Sequence, residues 1–263
     1  MNKRLNTLFF LLSLMLVFVA QGVSAQNVQL HYDFNRSRPV EKGQNQNYGD
    51  QVFTSTFEYF KPGEKGETFM FSDVDYRNTQ DGGAGLFYWE ISHKFYLNDS
   101  KLNLHVEYDD GFATFSPKKD GFDGQFPIRR AALLGIGKPF VFGDLFVHAT
   151  VMYKYHPRAN NHLDAQFTTV WIWPLFNGKV MFNGFADVWT EDKTFRGDAL
   201  PNGDGKQLVF LTEPQIWYNV TDHFAVGGEV EISMNFAENN PSFLRDKINK
   251  WMVNPTVAVK YTF

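Results

Sequence analysis

The sequence has 263 residues, a formal net charge of −4, no cysteine and an aromatic content of 17%, with 28 Phe residues. Without cysteine there is no disulfide framework, no thiolate metal site and no lipid anchor on a thiol. The acidic balance makes the chain a poor candidate for binding a nucleic-acid polymer, which requires a clustered cationic surface.

The first predicted element is an export signal. Lys3 and Arg4 precede an apolar run from Leu8 to Val19 that only Ser13 interrupts. Val23, Ser24 and Ala25 then place small residues before a cleavage point at Gln26. The run is shorter than the about 20 apolar residues a spanning helix needs. Residues 1–25 therefore read as a signal peptide and 26–263 as one exported domain. Loss of Lys3 and Arg4 leaves that domain more acidic still.

Twelve alternating segments follow, each of the length that crosses a membrane as a tilted strand. They are Val28–Asn35, Val52–Phe60, Thr68–Arg77, Leu86–Leu97, Leu102–Asp110 and Ile128–Lys138, then Leu145–His156, Ala165–Trp173, Lys179–Thr190, Leu208–Tyr218, Phe224–Asn235 and Trp251–Phe263. Short turns follow the even segments, such as Asn98-Asp99-Ser100, Pro139 to Asp144 and Phe176-Asn177-Gly178. Longer polar stretches follow most of the odd ones: Arg36 to Gln51, Gly111 to Pro127, Glu191 to Gln207 and Phe236 to Lys250. Short turns alternating with long loops predict an all-β, transmembrane, antiparallel up-and-down β-barrel of about twelve strands in a bacterial outer membrane.

The last segment carries the pattern most clearly. Val253, Val257, Val259, Tyr261 and Phe263 share one face, and Asn254, Thr256, Ala258, Lys260 and Thr262 share the other. Alternation of this kind puts one face against lipid and the other toward a lumen, which is how a mean hydropathy of −0.33 is compatible with a membrane protein. Outer-membrane lipid and, through the terminal aromatic Phe263, the barrel-assembly machinery are the expected partners.

The opposite phase of each strand lists the expected lumen. It holds Gln29, His31, Asp33 and Asn35, then Tyr88, Glu90, Ser92 and Lys94, then Asn103, His105, Glu107 and Asp109. Asp73, Asp75 and Arg77 come from the third strand, with Phe69 and Phe71 also inward. The ninth contributes Met181, Asn183, Phe185, Asp187 and Trp189; the tenth Glu213, Gln215 and Trp217; the eleventh Glu229, Glu231 and Ser233. In the sixth, Arg129 and Arg130 fall on opposite faces. Such a lining serves either a salt-bridged, plugged interior or a narrow path that selects solutes, since twelve strands lie between filled eight-stranded barrels and open sixteen-stranded porins. In the second case Phe185, Trp189 and Trp217 offer faces for a flat ring, and Asp187, Glu213 or Gln215 accept hydrogen bonds from it.

Catalytic and metal readings are weaker. Ser92 and His93 point to opposite faces, and His148 and Ser233 lie on distant strands, so no serine nucleophile meets its base. Asp109, Asp110 and His156 sit at the height of a rim protease, a composition any rim shares. His31, His93, His105, His148, His156, His162 and His223 show no paired metal spacing. The Asp198 to Gly205 stretch lacks the terminal carboxylate of a calcium loop. No enzyme activity, cofactor or metal is expected. Phe112, Phe115, Phe122, Phe195 and Phe243 in the long loops either narrow the mouth or meet partners.

The Asn183-Gly184-Phe185-Ala186-Asp187, Thr212-Glu213-Pro214-Gln215 and Gly228-Glu229-Val230-Glu231 segments, on this exported barrel pattern, resemble the nucleoside-specific channel family, the Tsx-like porins. The resemblance implies a monomeric twelve-stranded barrel that passes nucleosides by facilitated diffusion. It places Phe185, Asp187, Glu213, Gln215, Glu229 and Glu231 at matching positions. In the first strands this chain departs from the family's aromatics, with His31, Tyr32 and Phe34 there and only His31 inward. The expected solute-binding set is Phe185, Asp187, Trp189, Glu213, Gln215, Glu229 and Glu231, with Asp33, Asp73 and Glu90 as outer members. The expected function is a passive channel for small polar solutes such as nucleosides. The alternatives are a closed barrel acting in structure or surface interaction, and an outer-membrane hydrolase.

Overall fold

The computed structural model describes residues 25–34, 51–77, 83–115, 124–128, 130–193, 204–236 and 251–263. Of the predicted signal peptide, 1–25, all but Ala25, which opens the first strand, lies outside the described residues. So do Asn35, Arg129, Phe122, Phe195, Phe243 and most of the long loops.

Fourteen strands form one sheet: β1 (Ala25–Asp33), β2 (Gln51–Pro62), β3 (Gly66–Arg77), β4 (Ala84–Tyr96), β5 (Asn103–Phe115), β6 (Gly124–Pro127) and β7 (Ala131–Phe142) come first. β8 (Leu145–Tyr155), β9 (Asp164–Leu175), β10 (Val180–Asp192), β11 (Lys206–Thr212), β12 (Gln215–Asn219), β13 (Phe224–Met234) and β14 (Trp251–Thr262) complete it. β6 and β7 both pair with β5, and β11 and β12 both pair with β10 and β13. Each of these two pairs is one interrupted stave, so the wall has twelve staves. Every neighbouring pair is antiparallel. β14 pairs with β1 from Asn27↔Thr262 to Asp33↔Thr256, which closes the cylinder and leaves no sheet edge at the seam.

The register fixes the faces. Leu30, Phe53, Ile91, Leu134, Ile136, Val151, Phe167, Ile216 and Val226 point outward and are exposed, as are Val253, Val257, Val259 and Tyr261. Exposed apolar side chains on every side of a closed barrel form a surface suited to lipid, not water. Inward, Gln29, His31, Asn103, Thr150 and Asp164 are almost fully hidden. Between them sit three small apolar clusters: Ala131 with Leu133 and Met152, Trp189 with Val209 and Leu211, and Trp217 with Ala225 and Ala258. Among the described residues no helix is long and apolar enough to cross a membrane.

Several predicted boundaries shift. β5 runs on past Asp110 to Phe115, so Phe112 and Phe115, expected in a long loop, belong to a strand. The seventh strand runs on to Phe142, with Pro139 inside it opposite His148, so the Pro139–Asp144 turn contracts around Gly143 at φ +62°. The sixth stave begins earlier, as β6, and breaks before β7. The predicted Leu208–Tyr218 strand breaks at Glu213-Pro214, because Pro214 has no N–H to donate to a ladder. The backbone of this interruption lies close against Gly184 (φ +156°), where a Cβ would collide with the Glu213 carbonyl oxygen.

Candidate functional site

β4 and β5 build one wall of the central lumen. Antiparallel pairing sets Glu90 opposite Asp109, and Ser92 opposite Glu107. Because same-face residues on paired strands lie about 5 Å apart, this register stacks three carboxylates. Tyr88 on β4 donates to Glu90 Oε1 at 2.6 Å, and His105 Nε2 lies 3.0 Å from Glu107 Oε2. One ligand oxygen each from Glu90, Glu107 and Asp109 can be chosen so that all lie within 4.8 Å of one another, the one group of potential metal ligands found among the described residues.

The facing wall comes from β10 to β13. Around the Glu213-Pro214 interruption the register is unbroken, from Ala186↔Thr212 to Asn183↔Gln215. Glu213 therefore stays inward, opposite Phe185, whose carbonyl accepts its N–H at 3.1 Å. On the next rung Asn183 donates to Gln215, and Gln215 donates to Glu229 Oε2 at 3.0 Å. Glu229 and Glu231, from β13 on the same wall, and Asp73 and Glu90, from across the lumen, act on Glu213. Asp187 acts in turn on Glu90 and Asp109. Opposite, Thr56 donates to Asp73 at 2.5 Å and Thr54 to Asp75 at 2.5 Å.

All ten residues predicted for the site face the lumen. Asp73, Glu90, Asp187, Glu213, Glu229 and Glu231 converge on a single acidic zone, with Phe185 and Gln215 beside it. Trp189 and Asp33 stand apart. Trp189 is buried toward the long-loop end, donating to Glu191 at 3.2 Å and packing on Val209, Leu211 and Phe236. Asp33 is buried at the end of β1. Glu107 and Asp109 belong in the zone but were predicted only as general lining. Their inward phase was visible in His105-Val106-Glu107-Tyr108-Asp109; their height beside Glu90 was not.

The acidic zone adjoins space. Phe69, Phe71, Asp73, Tyr88 and Glu90 on one wall, and Phe185, Asp187, Glu213, Glu229 and Glu231 on the other, are half-buried although they point into a closed cylinder. An inward side chain that water still reaches borders an internal cavity rather than a filled core. The layers on either side are denser. Toward the short turns, Lys260 Nζ lies 4.0 Å over the Trp217 ring, and Trp217 donates to Gln215 Oε1 at 3.0 Å. His31 reaches Gln29 Oε1 at 2.9 Å, Thr256 Oγ1 at 3.0 Å and Glu229 at 3.3 Å. Toward the long loops, Lys154 Nζ lies 4.5 Å over Trp189 and donates to Gln166 at 2.6 Å. At that rim Lys206 bridges Asp164 at 2.9 Å and Asp192 at 2.7 Å.

The residues weighed for hydrolysis go elsewhere. Ser92 faces the lumen, while His93 faces out and meets Thr68 at 2.8 Å. His148 meets Asn103 and Thr150, and Ser233 donates to Glu231. Asp109 and Asp110 point to opposite faces, and Asp110 pairs outside with Arg130 at 3.6 Å.

A closed antiparallel cylinder with an apolar outer surface and a polar, acidic interior defines an outer-membrane β-barrel. Within that class, the chain belongs to the family described as Domain of unknown function (DUF5020), whose model matches residues 25–263. No curated protein matches the sequence. Among solved structures, the NanC porin is 10% identical, with 90% of this chain and 100% of that chain covered and a TM-score of 0.50, a likeness of fold. LpxR from Salmonella typhimurium is 7% identical over 91% and 100% of the two chains, with a TM-score of 0.47. OmpT of Vibrio cholerae, in a loop-deleted form, is 8% identical over 91% and 98%, with a TM-score of 0.41.

Proposed function

We propose that this barrel is a passive, non-enzymatic channel for small polar solutes, and that nucleosides are the solute class. One observation carries the reading: carboxylates and aromatic rings on opposed walls border the same water-reachable space in the middle of the cylinder. Carboxylate rings favour cations and hydrogen-bond donors over anions. Phe185 beside Asp187 on β10, and the Phe71–Tyr88 pair at 6.0 Å, set ring faces next to acceptors, as a flat base with a hydroxylated sugar requires. Base stacking on aromatics contributes about 1–3 kcal/mol per base in other settings, compatible with weak, rapid passage. The likeness of the Phe185–Asp187, Glu213–Gln215 and Glu229–Glu231 segments to Tsx-like channels supports the same solute.

The test is the conductance of the refolded barrel in planar bilayers, with and without nucleosides. The expected result is a small cation-selective current that nucleosides reduce. A current indifferent to nucleosides would remove the solute assignment, and a silent, folded barrel would remove the channel. For assembly, we assign the outward-facing Phe263 to recognition by the barrel-assembly machinery. Its deletion should lower insertion in cells while refolding in detergent persists; unchanged insertion would refute this.

A further inference from the structure

We propose that Glu90, Glu107 and Asp109 form a binding site for a hard divalent cation of the calcium class, inside the lumen. The three carboxylates offer oxygens within 4.8 Å of one another. Oxygens this close admit a single ion bound by all three carboxylates, and a dense all-oxygen shell of six to eight ligands is the one calcium takes.

A second observation points to a ligand there. Asp109 is only 4% exposed, and its Oδ1 has no hydrogen-bond donor. Asp187, half-buried on the facing strand β10, accepts a hydrogen bond from Thr168 but leaves its Oδ1 enclosed and without a donor. A buried carboxylate oxygen without a donor is costly, and cations or donors ordinarily satisfy it. The local cations do not suffice. Lys154 approaches Asp109 Oδ2 only to 4.0 Å, because Gln166 holds it at 2.6 Å and its ammonium lies over Trp189. His105 lies against Glu107, and Tyr88 donates a single hydrogen bond to Glu90. Beyond His105, Tyr88 and Thr168, four carboxylates thus share one distant lysine. An ion of two positive charges with six to eight oxygen ligands matches this deficit, with Asp187 and water completing the shell. All ligands are oxygens, so softer metals that favour sulfur or imidazole fit less well.

The site stands independently of the channel reading, since binding is read in detergent without any current. The probe is terbium, a calcium substitute whose emission is excited through a nearby phenol; the Tyr88 hydroxyl is 2.6 Å from a Glu90 carboxylate oxygen. The refolded barrel should show sensitised terbium emission, displaced by calcium chloride at concentrations where magnesium chloride leaves it intact. Glu90→Gln should weaken the emission. The Glu107→Gln/Asp109→Asn double variant should abolish it while retaining heat-modifiable migration. Glu58→Gln, a lumen carboxylate hydrogen-bonded to Asn27 at 2.7 Å, should retain it. No emission from the folded wild-type barrel would overturn the proposal, as would emission that survives in the folded Glu90→Gln and double variants. Equal displacement by magnesium would overturn the calcium-class assignment.

Discussion

The layer around Trp217 and the zone around Glu90 belong to the same cylinder, yet they handle polarity in opposite ways. In the Trp217 layer, polar groups find complementary partners: Trp217 with Gln215, His31 with Gln29, Thr256 and the Glu229 carboxylate, and the lysine ammonium of Lys260 with an aromatic face. In the Glu90 zone acids face acids, and oxygens of Asp109 and Asp187 lack donors. The first layer contributes packing and closure. The second holds an imbalance of charge that only water, protons or a cation can relieve, and so it is where function is expected. A buried polar residue is therefore informative chiefly when its partners fail to balance it.

Four substitutions test that division, from the largest effect to the smallest. Trp217→Ala removes a fully hidden ring; loss of a large aromatic from a core costs about 3–5 kcal/mol. The denaturant midpoint of the refolded barrel should fall accordingly, and an unchanged midpoint would mean that the layer is not structural. On the outer surface, Val259→Arg puts a cation where an exposed valine meets lipid, at a cost of about 2–4 kcal/mol near mid-bilayer. It should hinder folding into vesicles, and normal yields would place Val259 outside the membrane. Gly184→Val forces a side chain against the Glu213 carbonyl. Overpacking of this kind costs about 1–3 kcal/mol, and the strand break at Pro214 should shift, read as a lower midpoint together with altered conductance. Asp187→Ala should leave folding intact and change cation selectivity or nucleoside uptake; normal transport with impaired folding would reverse its assignment.

Much of this was legible in the sequence because a strand's parity fixes its face. In the last strand, Val253, Val257 and Val259 point out and Asn254, Thr256 and Ala258 point in, as the alternation dictates. Parity also placed Phe185, Asp187 and Glu213 correctly, and it survived the break at Pro214 because no residue is gained or lost in the register there. Height is different. The position of a rung depends on the stagger between neighbouring strands, which alternation does not encode. Glu107 and Asp109 therefore read as ordinary lining until the Glu90↔Asp109 pairing put them beside Glu90. Trp189 read as part of the selective set, although its rung lies among the packed residues toward the loops.

The β1–β14 seam joins strands from opposite ends of the described chain, from Asn27↔Thr262 to Asp33↔Thr256, and is fastened below by the Phe263 N–H to Gln26 carbonyl bond at 3.0 Å. Contacts between such remote segments form late and slowly, since the entropy of closing the longest loop opposes them. Until β14 arrives, β1 and β13 both present unpaired backbone, the state in which strands join foreign edges. The interval between export and closure is thus the moment of greatest aggregation risk for this polypeptide, and it ends only when the final strand docks.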